Sequence, residues 1–262
     1  MSENILEINN LSKFFGGLAA VSDCSLNVKR GTITGIIGPN GSGKTTLFNL
    51  IAGNLKSSSG MVTFDEKNIT DVPSYELFSK GLLRTFQIAH EFSNLSVLEN
   101  LMMVPGNQSG EKLMTALLKP KLVVEEETLV KEKAKEVVDF LNLGHLSNEL
   151  AGNLSGGQKK LLELGRTMMV DAKLVLLDEV GAGVNRTLLK DLGSAIEKLN
   201  KEKGYTFCMI EHDMDFIGRL CDPVIVMAEG SVLFEGTVED AKKDEKVIES
   251  YLGRGSKLKD TN

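Results

Sequence analysis

The sequence has no tryptophan, only three cysteines, and aromatic residues at just 5% of its 262 positions. The cysteines are Cys24, Cys208 and Cys221. Their odd number and the lack of CxxC or His/Cys ligand spacing argue against a disulfide framework and against a zinc knuckle. Unpaired thiols favour a protein of the reducing cytosol.

Long apolar runs and an excess of positive charge are also lacking. No stretch approaches the ~18 apolar residues that a membrane-spanning helix needs, and residues 1–4 do not resemble a signal peptide. We therefore expect neither a membrane span nor export by that route. Lys and Arg number 30 against 36 Asp and Glu, a net charge of −6. Without a basic stripe the chain lacks the long-range attraction that nucleic-acid binders use, so we predict no nucleic-acid partner.

Short β-like runs alternate with helical stretches, which predicts an α/β fold with a largely parallel core sheet. The predicted strands are at residues 6–8, 25–28, 33–37, 61–64, 174–177, 206–210 and 224–227. One predicted helix starts at residue 73, and two others span 187–201 and 213–220. Val130, Ala134, Val137, Val138 and Leu141 form one stripe of a further amphipathic helix. We expect residues 88–165 or so to form an inserted helical subdomain, and the polar tail from 253 to 262 to fray.

A glycine-rich loop lies between the third predicted strand and a helical run. Its residues match GxxxxGK[ST]: Gly38, Pro39, Asn40, Gly41, Ser42, Gly43, Lys44 and Thr45. Glycines let successive backbone N–H groups turn inward, and the following helix adds its positive end, so the motif predicts a triphosphate site. Lys44 is expected to reach the β- and γ-phosphates, and Thr45 to offer its hydroxyl to Mg²⁺.

Two carboxylates follow the predicted strand at 174–177. Asp178 is placed to hold the Mg²⁺ shell, and Glu179 to accept a proton from an attacking water. A helix-entry cap is the alternative explanation for this pair. The nearest string to the NKxD guanine reader, at residues 200–203, lacks the Asp, so we favour adenine over guanine as the base.

A second glycine-containing element precedes another amphipathic helix and consists of Leu154, Ser155, Gly156, Gly157 and Gln158. A Ser hydroxyl and glycine amides at a helix N-terminus predict a second anion site. One chain does not usually need two γ-phosphate sites, which suggests that this one faces the nucleotide of a partner copy. A plain capped helix start is the alternative; it explains Ser155 but gives no reason for the glycine pair or Gln158.

With these motifs in this order, residues 6–252 or so resemble the nucleotide-binding subunit of an ABC transporter. The resemblance implies a P-loop NTPase core of the ABC ATPase type, with a RecA-like core, a β subdomain and the helical insertion. It implies one ABC ATPase domain over residues 5–253, a polar tail over 254–262, and ATP and Mg²⁺ as ligands.

The resemblance also implies roles for single residues. Phe15 would stack on adenine, with Phe14 as the fallback and a core phenylalanine as the alternative. Thr46 would join the nucleotide site. Gln87 would touch Mg²⁺ beside Thr45 and Asp178, although a lone glutamine is usually a surface residue. His212 would contact the γ-phosphate and act with Glu179 and Lys44 in catalysis, the alternative being a solvated or packed histidine.

Two departures from the family pattern lie beside the carboxylate pair. Val180 stands where the family usually has proline, and residues 181–185 replace the commoner loop that ends in Asp. Proline fixes φ near −65°. Its absence predicts a looser loop around Glu179 and affects the expected turnover rate more than the mechanism.

Partners follow from the resemblance. It implies a peripheral subunit on the cytoplasmic face of the inner or plasma membrane, two ATP molecules held between two ATPase subunits, identical or homologous, and separate transmembrane permease subunits. A solute-binding protein would take part indirectly. Phe92, Leu95, Val97 and Leu98 form either a docking groove or a self-packed helix.

Several features resemble the larger ATPase of branched-chain amino acid importers. They are residues 84–87, the 183–185 ending, the length of the insert at residues 105–136 and the closing residues 247–253. Importers of urea or short amides, a lipopolysaccharide-type exporter and a soluble ATPase of iron–sulfur cluster assembly are the alternatives.

Overall fold

The computed structural model describes residues 2–85, 91–106, 108–111 and 117–256. The strands are β1 Asn4–Phe15, β2 Leu18–Lys29, β3 Ile33–Ile37, β4 Ser59–Phe64, β5 Lys67–Asn68, β6 Leu82–Arg84, β7 Leu174–Asp178, β8 Thr206–Ile210, β9 Val224–Ala228 and β10 Ser231–Gly236. The α-helices are α1 Lys44–Ile51, α2 Ser74–Ser79, α3 Val97–Met102, α4 Pro120–Phe140, α5 Gly156–Met168, α6 Arg186–Lys203, α7 Met214–Leu220, α8 Val238–Ala241 and α9 Glu245–Ser256. Single 3₁₀ turns lie at Ser109–Glu111, Gly144–Leu146 and Ala151–Asn153.

The core sheet runs in the order β10-β9-β3-β8-β7-β6, and all its neighbours pair in parallel except β9 and β10. Every residue of β3, β7 and β8 is buried, as expected for strands covered on both faces. The prediction of a largely parallel core sheet in an α/β fold is confirmed. Since β3, β8 and β7 are adjacent and parallel, their carboxyl ends meet at one edge, where ligands of open α/β sheets bind.

A second, antiparallel sheet has the order β2-β1-β4-β5. On β2 the buried residues Cys24, Leu26 and Val28 alternate with exposed ones, and the buried side chains of the sheet share one apolar core with helix α1. Leu6 and Phe64 from this sheet, Phe48 from α1 and Ile36 from β3 are all essentially inaccessible to solvent in that core. The antiparallel sheet, helix α1 and the core sheet therefore pack around the same apolar cluster.

The chain forms two compact units. The first comprises Met1–Arg84, Lys173–Gly181 and Ile196–Asn262, and it contains both sheets. The second comprises Thr85–Ala172 and Ala182–Ala195 and is helical in its described part. Its first segment starts at Thr85 and ends at Ala172, against the expected 88 and 165, and it also includes a segment after β7.

The helical unit has its own apolar core. On α4 the residues Ala134, Val137 and Val138 are buried, as the predicted stripe requires. Helix α5 approaches closely at Gly165, where a Cβ would lie only 2.7 Å from the Leu141 side chain. A larger residue at position 165 would therefore separate the helices of this unit.

Three further observations concern the last helix, membrane-spanning helices and the cysteines. Helix α9 continues to Ser256, so residues 253–256, where a frayed tail was expected, are helical. Across the described residues, no helix is both long and apolar enough to span a membrane. The three cysteines are buried and free.

Candidate nucleotide-binding site

The glycine-rich loop connects the carboxyl end of β3 to the first turn of α1, as its motif predicts. Two of its glycines are required by close backbone contacts. A Cβ at Gly38 would lie 2.1 Å from the Met227 carbonyl oxygen, and one at Gly43 would lie 2.3 Å from the Ala20 carbonyl oxygen. Both glycines also have positive φ, 148° and 98°. The loop curls because nothing larger than hydrogen fits at these two points.

The ammonium group of Lys44 is turned onto this loop. Its Nζ donates to the carbonyl oxygens of Gly38 at 2.8 Å and Pro39 at 3.0 Å, and lies 3.4 Å from the Ser42 hydroxyl. Burial lowers the pKa of Lys44, while the negative charges of Glu179 and Asp178 oppose that shift. The cation therefore lies within electrostatic reach of both predicted carboxylates.

A polar pocket opens in front of the loop. It is lined by Asn40, Gly41, Gly43, Lys44, Thr45, Thr46, Glu179 and His212. At its wall, Glu179 Oε1 and His212 Nε2 are 2.9 Å apart. The fold therefore brings together the predicted loop, the second carboxylate and the predicted histidine, which come from the ends of three adjacent strands. His212 is half exposed in this pocket, so the packed-histidine alternative does not apply.

Asp178 is held by a partner that the sequence reasoning did not identify. Arg84 Nη2 donates to Asp178 Oδ2 at 2.7 Å, and Arg84 Nη1 donates to Asn49 Oδ1 at 2.6 Å. The Arg84 and Asp178 side chains are only 10% and 6% exposed. In the sequence Arg84 stands only in a string that resembles the family, and a lone arginine gives no signal of this role.

The donor set suits Mg²⁺. This ion prefers hard oxygen ligands and usually keeps water and substrate phosphates in its shell, with one or two protein ligands. Thr45 lines the pocket and Asp178 lies within electrostatic reach of Lys44. Within the described ranges, no cluster of three or more His, Cys, Asp or Glu residues could hold a metal ion by itself. Gln87 lies outside the described residues.

The second glycine element forms the start of α5. The Ser155 hydroxyl accepts from the Gln158 N–H at 3.4 Å, and Gln158 Oε1 accepts from the Ser155 N–H at 2.9 Å, which is a capping box. The interpretation that a capped helix start leaves Gln158 unexplained is wrong, because Gln158 completes the cap. Leu154, just before it, is buried.

Gly156 and Gly157, the two glycines at the start of α5, differ in their surroundings. A Cβ at Gly157 would lie 2.5 Å from the Leu188 side chain, so packing requires a glycine there. At Gly156 the nearest atom to a Cβ would be the Gly183 carbonyl oxygen at 4.0 Å, which leaves room for a methyl group. Internal packing therefore explains Gly157 but gives no reason for Gly156.

The candidate adenine platform lies at the end of β1. Phe14 and Phe15 are each 48% exposed, so neither is a core residue, and that alternative is excluded for both. The Lys13 ammonium lies 5.2 Å from the centre of the Phe15 ring. A flat, exposed ring with a cation on one face is able to accept a base on the other.

The segment around Phe92 belongs in part to the core of the helical unit. Val97 is fully buried, which fits the self-packed alternative and removes it from any groove, whereas Phe92 is 48% exposed. Buried Asn100 fixes this segment: its amide group accepts from the Phe92 N–H and donates to the carbonyls of Phe92, Leu95 and Ser96. Arg166 lies 5.5 Å from the Phe92 ring centre. Sequence reasoning did not identify Asn100, since a single asparagine in a helix carries no pattern.

The C-terminal helix also reaches the site. Burial raises the pKa of the Tyr251 hydroxyl, and the nearby Gly38 backbone partly offsets this. Tyr251 lies more than 200 positions from the glycine-rich loop along the chain, so only the fold places it there.

The comparisons with known proteins agree with this geometry. The family model described as ABC transporter matches residues 21–182. A probable branched-chain amino acid transport ATP-binding protein LivG of Archaeoglobus fulgidus is 44% identical over 95% of this chain and 95% of its own length. The high-affinity branched-chain amino acid transport ATP-binding protein BraF of Pseudomonas aeruginosa is 35% identical over 97% of this chain and 99% of its own.

Solved structures give the same result. A nucleotide-free ATP-binding cassette from an ABC transporter matches with a TM-score of 0.81 at 39% identity, over 94% of this chain and 98% of its own. The ADP conformation of an ATP-binding cassette of an ABC transporter matches with a TM-score of 0.81 at 39% identity, over 96% of this chain and 100% of its own. The predicted P-loop fold of ABC ATPase type is confirmed.

Proposed function

The chain belongs to the ABC transporter family, as an ATP-hydrolysing subunit, and we propose that it powers an importer of branched-chain amino acids or related small solutes. The names of the relatives from Archaeoglobus fulgidus and Pseudomonas aeruginosa support this substrate class. They favour import over the lipopolysaccharide-type exporter and over the soluble iron–sulfur assembly ATPase.

One observation carries the catalytic part of the proposal: Glu179 and His212 meet at 2.9 Å on the wall of a pocket whose floor is the glycine-rich loop. The loop amides, Lys44 and the start of α1 bind the phosphates of ATP. Phe15 stacks on adenine. Glu179 orients a water and accepts its proton, while His212 keeps that carboxylate in place and contacts the γ-phosphate. Positioning and electrostatics then supply most of the rate acceleration.

Mg²⁺ completes the nucleotide in this proposal. Thr45, Asp178 and Gln87 would hold it, and when bound it would neutralise charge on the phosphate oxygens. Arg84 fixes one oxygen of Asp178, so the carboxylate is presented in one orientation. The solved relative in its ADP conformation supports a nucleotide at this place.

Glu179→Gln tests the base assignment. The amide keeps the size of the side chain but cannot accept a proton, so ATP binding is retained and hydrolysis falls about 100-fold or more. Glu235→Gln is the matched control, since Glu235 is an exposed glutamate on β10. Steady-state phosphate release and a labelled-ATP binding assay report the two effects. Hydrolysis at the parental rate in Glu179→Gln would remove Glu179 from this role.

We further propose that Gly156, Ser155 and Gly157 face the ATP held by a second ATPase subunit, so that neither subunit completes a site alone. The support is the difference between the two glycines. Gly157 is required inside the helical unit, whereas Gly156 has open space where its side chain would be. A bare amide at a helix N-terminus, kept free of a side chain for no internal reason, suits a phosphate that comes from outside the chain.

A pair of alanine variants distinguishes the packing role of Gly157 from the partner-facing role proposed for Gly156. Gly156→Ala adds a methyl group in open space and should keep the melting temperature of the parent while lowering ATPase activity at least about tenfold. Gly157→Ala should lower the melting temperature, because its Cβ would overlap Leu188. The shared site is refuted if Gly156→Ala hydrolyses ATP at the parental rate and if the double variant Gly156→Ala, Glu179→Gln still forms a dimer with ATP.

Transport requires transmembrane partners, and we propose that the exposed Phe92 belongs to the surface that docks on separate permease subunits at the cytoplasmic face of the membrane. A solute-binding protein would act on those subunits. Phe92→Glu should abolish recovery with membranes when the permease is co-expressed, with nucleotide binding intact. Leu129→Glu is the control, since Leu129 is a comparably exposed apolar side chain of the same unit, at 65%. Equal membrane recovery of both variants would exclude Phe92 from docking.

A further inference from the structure

Glu211 is a buried carboxylate that the proposed mechanism does not use. It follows β8 and precedes His212, and only 4% of its surface is exposed. Burial of a carboxyl group is unfavourable unless hydrogen bonds compensate for the lost solvation. Glu211 has such bonds: its Oε1 accepts from the Gly181 N–H at 2.6 Å, and its Oε2 lies 3.3 Å from the His212 N–H.

The bond from the Gly181 N–H connects Glu211 to the loop that carries Glu179. Gly181 is two residues beyond Glu179, and Val180 between them has no ring to fix its φ. The loop is also strained, since Glu179 has a left-handed backbone with φ of 48°. A non-glycine residue keeps such a conformation only when its surroundings hold it there.

Two backbone ties hold Glu179 in this conformation, one on each side. Before it, the Glu179 N–H donates to the Ile210 carbonyl at 2.9 Å, which continues the β7–β8 pairing. After it, the Gly181 N–H donates to Glu211. The sheet supplies the first tie whatever the side chains are, but the second depends entirely on the carboxylate of Glu211.

We infer that Glu211 is a positioning residue for ATP hydrolysis: its side chain clamps the loop after Glu179 and thereby sets the contact between Glu179 and His212. This inference rests on the proposed role of Glu179. Glu211 itself is not among the residues that line the pocket, so it acts through the loop. Its carboxylate serves as a hydrogen-bond acceptor, and the negative charge is not what the loop needs.

The two side chains that can replace Glu211 conservatively give opposite predictions. Gln keeps both the length and an acceptor oxygen for the Gly181 N–H. Asp keeps the charge but is one methylene shorter, too short for a contact that is 2.6 Å in the parent. An acceptor role therefore predicts that Glu211→Gln retains at least about a third of the parental kcat. It predicts that Glu211→Asp and Glu211→Ala lose on the order of 10- to 100-fold.

The experiment measures kcat and KM for MgATP in the full chain for these three variants, with melting temperature and ATP affinity recorded alongside. The KM should stay within about twofold, because the glycine-rich loop is untouched. A high kcat in Glu211→Asp with a low one in Glu211→Gln would show that charge matters and overturn the inference. Parental kcat in both Glu211→Ala and Glu211→Asp would overturn it as well. If Glu211→Ala does not fold, Glu211→Asp and Glu211→Gln decide the outcome.

Glu179→Gln, assayed in parallel, keeps this inference separate from its premise. If Glu179→Gln hydrolyses ATP like the parent, the base assignment fails and the clamp has no catalytic group to position. If Glu179→Gln is inactive while Glu211→Ala and Glu211→Asp turn over like the parent, the base assignment stands and the positioning role fails.

Discussion

The ion pair between Arg84 and Asp178 gives the sharpest test of how the site is held. Their side chains are 10% and 6% exposed, with 2.7 Å between Nη2 and Oδ2. Arg84→Met keeps much of the length and removes the cation, which leaves Asp178 charged and buried. Breaking a buried pair in this way typically costs about 3–5 kcal/mol. Because Asn49 also loses a donor, we expect a loss of about 3 kcal/mol or more in the free energy of unfolding.

Lys201→Met is the matched control. Lys201 and Glu197 are 2.7 Å apart, as close as the buried pair, but their side chains are 70% and 44% exposed. Water screens such a pair, so this variant should lose less than about 0.5 kcal/mol. Urea unfolding followed by far-ultraviolet circular dichroism, without nucleotide, gives both values. The comparison requires the same denaturant dependence in all variants.

A double variant checks the cause. Asp178→Asn in the Arg84→Met background removes the unpaired charge, so the double variant should be more stable than Arg84→Met alone. A loss below about 1 kcal/mol in Arg84→Met, or no recovery in the double variant, would refute the idea that burial gives this pair its importance.

Two further predictions concern the glycine-rich loop and the thiols. Gly43→Ala should lower the free energy of unfolding by about 2 kcal/mol or more and abolish ATP binding, because its Cβ would collide with the Ala20 carbonyl at a φ of 98°. Gly17→Ala is the control and should change neither quantity, since nothing lies within 4 Å of its Cβ. Equal effects of the two variants would contradict this prediction. Burial raises the pKa of Cys24 to about 11 and that of Cys221 to about 12. Ellman's reagent at pH 8 should therefore label neither thiol until the protein is unfolded, and rapid labelling of the native chain would disprove it.

The strands that position the site were predictable because their sequences are short, apolar and followed by motif residues. The boundaries of β3 and β8 agree with the predicted runs at 33–37 and 206–210. Short or exposed elements were not predictable. β5 has two residues and α8 has four, too few for any period to appear.

The site was predictable where chemistry concentrates in a motif and unpredictable where it depends on long-range packing. Lys44, Glu179 and His212 each follow a buried strand in a recognisable string, and the structure brings them together. The role of Arg84 depends on β6 and β7 being neighbours, which no local pattern states. For Gln158 the sequence pattern was misleading. A helix cap was expected to leave Gln158 unexplained, but Gln158 completes the capping box, because a capping box and an anion site use the same residue types at a helix start.

The position of the Lys44 ammonium affects how an incoming ligand is received. Its three contacts with Gly38, Pro39 and Ser42 tie the ends of the loop together from within. A phosphate that enters must take this ammonium from partners it already has, so the encounter is a swap of bonds and not the filling of a vacant cation site. The net gain is then the difference between two sets of contacts. The curl of the loop therefore depends on the Lys44 side chain as well as on its glycines.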